Sequence, residues 1–231
     1  MPDAPARPAD TLMMSLFHAA LRRDLERAAL LLDNPGTLSL RRSRRLGRHL
    51  LWLMGNLRWH HEGEDHYLWP LLLEREPSGS AVLDAMKAEH DAIDEPLSRL
   101  ESQARGLVAG RTGPGEVLTA LNALTEPLMK HLAHEEGEGM AIASRVLDHR
   151  EWKEFEQRAW IDGSTATQSI RFLAWMADGV EWQKPLRRRA ALPAPLYWSV
   201  VKPLSFIARV PGPSIWAGTP AARVGSRITP T

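Results

Sequence analysis

The sequence predicts an all-α protein, an antiparallel up-down four-helix bundle with extra C-terminal helices and an irregular basic tail. Three observations predict it. Four long segments carry apolar residues at three-and-four spacing, the signature of a core-facing helical stripe. The breaks between them are short and rich in proline and glycine, which favours antiparallel neighbours. Helical periodicity then fades beyond Trp182, where proline density rises. At 231 residues and 44% hydrophobic content, the chain can bury one ample core, with an appendage besides.

The elements follow in order. Residues 1–10 are rich in proline and alanine and read as a disordered lead-in. Asp10 is placed to cap a helix over 11–32 along Met14, His18, Leu21, Leu25 and Leu32, and Asp33-Asn34-Pro35-Gly36 stops it. A second helix spans about 39–74, with five arginines from Arg41 to Arg48 on its outer side. Its inner line is Leu46, Leu50, Leu53, Leu57, His60, Glu64, Leu68 and Leu71, and Pro70 should kink its last turn. A third helix opens at Ser78 or Ser80 and runs to about Ala109 along Leu83, Met86, His90, Ile93, Leu97 and Leu100. A fourth spans 114–147 along Val117, Leu121, Leu124, Leu128, Glu135, Ile142 and Val146.

The bundle therefore occupies 11–148. Two shorter helices, Glu151 to Ile161 and Ser164 to Ala177, form a 149–181 unit expected to pack on it, and 182–231 is a basic, proline-rich, aromatic tail.

Charge is unevenly divided. Eight of the 29 basic residues and none of the 28 acidic ones lie beyond Trp182, so residues 1–181 hold 21 basic against 28 acidic residues. That acidic body argues against a nucleic-acid footprint. The tail, with Tyr197, Trp198, Phe206 and Trp216, suits wrapping the bundle, docking a protein partner, or resting on an anionic membrane surface. Its apolar run from Leu196 to Val210 is broken by Lys202 and Pro203, short of the roughly 20 apolar residues of a membrane helix. No basic-then-apolar leader opens the chain, so a cytoplasmic location is expected, with peripheral membrane contact as the alternative.

The chemistry concentrates in two clusters. Residues 60–66 hold His60, His61, Glu62, Glu64, Asp65 and His66, and 71 residues after His60 comes His131, followed by His134, Glu135 and Glu136. His18 precedes His60 by 42 residues, and His90 precedes His131 by 41. Each half thus reads as a lone histidine on one helix, then His-x-x-x-Glu on the next. Residues four apart share a helix face at about 6 Å, so each motif offers a nitrogen and an oxygen together. Taken alone, such a motif is usually a surface ion pair. Here it recurs inside apolar stripes, where unpartnered polar groups cost several kcal/mol. With no cysteine in the chain, any metal must be held by nitrogen and oxygen, which suits iron, manganese or zinc, and bridging carboxylates suit two ions.

At 100° per residue, His60 with Glu64 and His131 with Glu135 fall nearest the stripes. His61, Asp65 and His134 drift toward the margin, where they would orient the ligands rather than serve as ligands. On that reading, His61→Ala leaves the metal bound.

The pattern His, His-x-x-x-Glu, His, His-x-x-x-Glu resembles the hemerythrin-like, HHE cation-binding family over roughly residues 12–148. The local texture agrees in Glu64-Asp65 before Leu68-Trp69-Pro70, in Glu89-His90-Asp91, and in His131-Leu132 before Glu135-Glu136. The resemblance implies a non-haem site of two irons with an oxo or hydroxo bridge, in preference to manganese or zinc. His18, His60, His90 and His131 would be terminal ligands, and Glu64 and Glu135 would be bridges. Asp94, expected as a weaker ligand or an orienting group beside the site, stands where the oxygen-carrying members have a further histidine, four residues after His90. One nitrogen fewer would leave an open position, which favours reaction with a bound dioxygen, nitric oxide or peroxide over reversible carriage. A catalase- or peroxidase-like activity is one version, with His61 or Asp65 as proton-transfer groups. An iron-sensing or storage protein, or an interaction module with a structural ion and a working tail, is the alternative.

Overall fold

The computed structural model describes residues 7–180 and 215–228, and among these residues every regular element is helical. The bundle comprises α1 (Leu12–Leu32), α2 (Leu40–Gly63), α3 (Trp69–Arg75), α4 (Ser80–Ala109), α5 (Pro114–His134) and α6 (Met140–Val146). It is followed by α7 (His149–Glu156) and α8 (Ala166–Ala177). Two π-turns, Glu64–Leu68 and Glu135–Gly139, join α2 to α3 and α5 to α6. The four long predicted segments therefore exist, two of them as composite helices with one wide turn inside each.

Local chemistry sets most boundaries. The backbone N–H of Leu12 donates to Asp10 Oδ1 at 3.2 Å at the start of α1, and Ser39 accepts from the Arg42 N–H to cap α2. Gly110 ends α4 at φ 73°, a conformation that suits a residue without a side chain. Reciprocal capping boxes, Asp148 with Glu151 and Thr165 with Gln168, open α7 and α8. At Gly47 a β-carbon would lie 2.8 Å from the Ala104 carbonyl oxygen, so the absence of one lets α2 cross α4 closely.

Each π-turn inserts one residue into the helical phase, and this accounts for where the expected stripes miss. Beyond Glu64 the buried positions are Leu68, Trp69 and Leu72 rather than Leu71, and beyond Glu135 they include Ala143 and Leu147 rather than Val146. Pro70 lies just after the first wide turn, which closes with the Trp69 N–H on the Glu64 carbonyl, so the N–H that proline lacks falls at a break already made.

Two apolar clusters fill the bundle, with a polar layer between them. The larger includes Leu21, Leu57, Ile93 and Leu128; the smaller includes Met14, Leu68, Met86 and Met140. On the α2–α3, α4 and α5–α6 segments the chain passes from one cluster to the other through a histidine or a His-x-x-x-Glu motif, while α1, before His18, contributes Leu12, Leu16 and Phe17 to the larger cluster and Met14 to the smaller.

α1 departs from a simple amphipathic helix, because α8 and residues 215–228 cover the side it would otherwise turn to water. Arg23, Asp24 and Arg27 are consequently buried. Asp24 accepts from the Arg23 Nε–H at 2.8 Å and the Trp175 Nε1–H at 2.9 Å, and its Oδ2 lies 2.7 Å from His49 Nε2. Burial alone would raise the Asp24 carboxyl, but Arg23 and His49 outweigh it and hold the group well below the usual carboxylate range. Arg27 donates to the Val224 carbonyl and to Asp178, Arg23 donates to the Asp178 carbonyl and Ser226 Oγ, and Trp216 is buried against His49. His49, which flanks arginines in the sequence and reads as solvated, is thus a buried-network member.

Residues 7–10, expected to be disordered, are held along the end of α6: the Ala9 N–H donates to the Leu147 carbonyl at 3.1 Å, and Arg7 accepts from the His149 N–H at 2.7 Å. Residues 1–6 and most of the tail, with Tyr197, Trp198 and Phe206, lie outside the described residues. Among the described residues, no helix is long and apolar enough to cross a membrane.

Asp24→Ala leaves two buried guanidinium groups short of their carboxylate. It is expected to lower stability by about 3–5 kcal/mol, the usual cost of breaking a buried ion pair from one side. Urea unfolding measures the loss, and limited proteolysis should show cleavage within 215–228 at lower protease concentration than in the wild type.

Candidate metal centre

The polar layer gathers five histidines and two glutamates. His18 comes from α1, His60 and His61 from α2, His90 from α4 and His131 from α5, while Glu64 and Glu135 are the first residues of the two π-turns. All seven are buried, and six of them form two triads of possible ligand atoms, His18/His60/Glu135 and His61/His90/His131, with Glu64 outside both.

The contacts are those of atoms arranged around something else. His18 Nε2 faces His60 Nε2 at 3.4 Å, and His90 Nε2 faces His131 Nε2 at 3.2 Å. Two nitrogens each about 2.1 Å from one ion stand roughly 3.0–3.4 Å apart. Glu64 Oε1 lies 3.0 Å from His60 Nε2, while its Oε2 lies 3.6 Å from His90 Nε2, so its two oxygens address the two triads. Glu135 Oε2 lies 3.3 Å from His18 Nε2 and 3.6 Å from His131 Nε2, again between them. Yet neither glutamate oxygen pair, nor His61 Nε2, has a hydrogen-bond partner within the described residues. Buried groups left so cost about 1–3 kcal/mol each, more when charged. A set of inward imidazole nitrogens and unpartnered carboxylate oxygens fits cations bound by nitrogen and oxygen.

Three outer carboxylates fix the imidazoles. His18 Nδ1 donates to Glu136 at 3.0 Å, His90 Nδ1 to Asp65 at 2.9 Å and His131 Nδ1 to Glu89 at 3.0 Å. Each such bond puts the ring proton on Nδ1 and turns the Nε2 lone pair inward, as a metal ligand requires. Glu136 is itself clamped by Arg22 through two N–H donors, at 2.6 and 3.1 Å. Glu89 accepts from His134 Nδ1 at 2.8 Å as well.

Burial and mutual charge pull the two carboxyls apart. Burial raises Glu64, and the neighbouring Glu135 charge raises it further, well above the usual range. For Glu135 burial also acts upward, but His18, His131 and His60 outweigh it and hold the group below that range. Burial drives His60 and His61 well below the ordinary imidazole value. Of the two carboxyls, Glu64 is therefore the one that more readily holds a proton in the absence of a cation.

The six residues of the two repeated motifs all come together as the spacing predicts, and Asp65 and His134 take outer positions. His61 and Asp94 do not stand where they were expected. His61 is 6% exposed and belongs to a triad. The helical count treats the buried face as a line, but α2 meets both α1-side and α4-side neighbours. His60 stacks beside Phe17 and His61 lies flat on His90 at 3.9 Å, so two successive residues 100° apart both point inward. Asp94 is 62% exposed and pairs with Arg58 at 3.2 Å, away from the layer. His61 thus offers the layer an inward nitrogen where Asp94 offers no group. Glu89 and Glu136 are orienting groups beyond those expected from the helical count, and the sequence signal for them is that each adjoins a motif residue. Trp160, which no motif marks, stacks on His60 at 5.2 Å.

Such a bundle, with paired imidazole and carboxylate triads at its middle, is the architecture of a cation-binding four-helix protein. A family model described as the hemerythrin HHE cation binding domain matches residues 11–142, more than half of the chain, and the chain belongs to that family. Searches of curated proteins and of solved structures returned no match.

Two outcomes are expected. Glu89→Gln, which weakens the hold on the His131 ring, should lower metal affinity by about 10–100-fold in chelator competition. Cation binding should release protons, because burial and Glu135 raise the Glu64 carboxyl and a cation needs it ionised, so affinity should rise with pH. Titration calorimetry in buffers of different ionisation enthalpy reads this release directly.

Proposed function

We propose that the chain is a non-haem iron protein that holds two ions, one at each triad, and binds, senses or reacts with a small ligand such as dioxygen, nitric oxide or peroxide. The observation that carries the reading is the placement of Glu64, whose unpartnered oxygens face different triads, as a bridging carboxylate's would. His18, His60 and Glu135 would hold one ion, His61, His90 and His131 the other, and Glu135 Oε2 lies within reach of both. Iron, when bound, supplies Lewis acidity and one-electron chemistry toward the small ligand.

The chain's own residues do the rest. Asp65, Glu89 and Glu136 hold protons at the Nδ1 atoms of His90, His131 and His18 and thereby keep Nε2 free. The apolar clusters on either side exclude bulk water and strengthen charge interactions within the layer. Asp65, at the bundle edge with its side chain 25% exposed, is a proton-transfer group that reaches solvent. His61 moves from that role to that of a ligand.

The test is metal content after expression with iron, together with the near-ultraviolet absorption of a bridged ferric pair. About two irons per chain are expected, the ratio of a carboxylate-bridged pair. His61→Ala should fall to about half the wild-type iron and lose the bridged-pair absorption, whereas Asp94→Ala should change neither. Less than one iron per chain, unaltered by His60→Ala, overturns the reading.

A further inference from the structure

The family match ends at residue 142, and the next helix brings an aromatic side chain back onto the centre. α7 starts at a strong capping box and ends in a third π-turn, Gln157–Ile161. Its buried face anchors Trp152 and Phe155 in the smaller apolar cluster, and Phe155 meets Trp160 edge to face at 4.8 Å. Trp160 then lies nearly parallel to the His60 imidazole, 23° between planes at 5.2 Å. Phe17 covers the opposite face at 4.2 Å. The His60 ring is sandwiched between two aromatics from elements far apart in sequence.

Two details show how closely this segment is seated. A β-carbon on Gly63 would fall 2.7 Å from Trp160 Nε1 and 3.0 Å from the Ala159 β-carbon, so only glycine at that position of α2 admits the π-turn. The Trp160 indole N–H is buried there with no acceptor. An unsatisfied buried donor is unfavourable, so the polar end of the ring contributes nothing favourable at this position. What the residue supplies is the area of its flat face.

We propose that residues 149–161 form a cap over the His18/His60/Glu135 triad, and that Trp160 is the residue that decides which molecules reach it. The aromatic face over His60 shuts out reagents of ring size and leaves the centre to ligands of two or three atoms. The cap itself is a property of the protein with or without metal; its effect on ligand entry rests on the metal-centre reading above.

The experiment has a metal-free arm and a loaded arm, both on the full chain. In the metal-free protein, carbethoxylation of each histidine by diethylpyrocarbonate is followed by peptide mass spectrometry. Trp160→Ala should raise the His60 rate on the order of tenfold, the effect of removing about 1.4 kcal/mol of barrier, while His131 in the other triad keeps its wild-type rate. Trp160→Phe, which keeps a smaller ring and drops the unsatisfied N–H, should lie between. An unchanged His60 rate in both variants overturns the cap, as does an equal rise at His131, which would mean the whole bundle had loosened. In the loaded protein, Trp160→Ala should speed iron extraction by a bulky phenanthroline-type chelator while leaving the rate of azide binding within about twofold. Equal acceleration of both overturns the size selection. A chain that takes up no iron overturns the metal reading, while the carbethoxylation arm still decides the cap.

Discussion

Two buried carboxylates whose oxygens accept no hydrogen bond are the constraint on which the rest of this structure depends. Glu64 and Glu135 sit at the middle of an apolar bundle, where an unpaired charge costs several kcal/mol against a total stability of about 5–15 kcal/mol for a domain. The fold tolerates them in the metal-free state by favouring the neutral form of Glu64 and surrounding Glu135 with imidazoles. A cation replaces both devices at once. The same atoms that weaken the empty bundle are the ones that would bind, so part of the binding free energy is the relief of an arrangement the fold holds ready.

That constraint reaches outward through the backbone and the second layer of side chains. Each glutamate opens a π-turn, and the wide turn brings a full apolar register back on the far side of the polar layer. The outer carboxylates come from residues adjoining the layer's own motif residues: Glu89 precedes His90, Asp65 follows Glu64 and Glu136 follows Glu135. Each orients a histidine from a different helix, Glu89 holding His131, Asp65 holding His90 and Glu136 holding His18. The helices are thereby cross-tied at the level of the site, and the geometry of one triad is not independent of the other.

Much of this was legible before any coordinates. Spacing of three and four residues located the four long helices, and the recurrence of a lone histidine some 41 or 42 residues before His-x-x-x-Glu picked out six residues that do meet. The stripe and His61 expectations failed for one physical reason: periodicity describes a straight helix with one buried line. The π-turns moved Leu72 and Ala143 into places expected of Leu71 and Val146, and the corner position of α2 turned His61 inward beside His60. Asp94, four residues from His90, was judged by analogy of spacing alone, and its partner Arg58 on α2 could not be read from α4. The partners of Asp24, 25 and 151 residues away in His49 and Trp175, carry no local signal at all.

The appended segments follow from the demands of the first helix. In a plain four-helix bundle α1 would turn one side to water, yet His18 must be held in a dry layer by Glu136, itself fastened by Arg22. On the next turns of α1, Arg23 and Arg27 take up backbone carbonyls of α8, its exit and the 215–228 segment, while Phe17 on the same helix touches both Phe172 of α8 and the His60 ring. The covering elements are therefore joined to the layer through side chains of α1 itself. Loosening α8 or 215–228 would expose not a neutral surface but the arginines, the buried aspartate and the aromatic wall against which His60 is set. The chain beyond the matched family domain thus belongs to the enclosure of the site as much as to its surroundings.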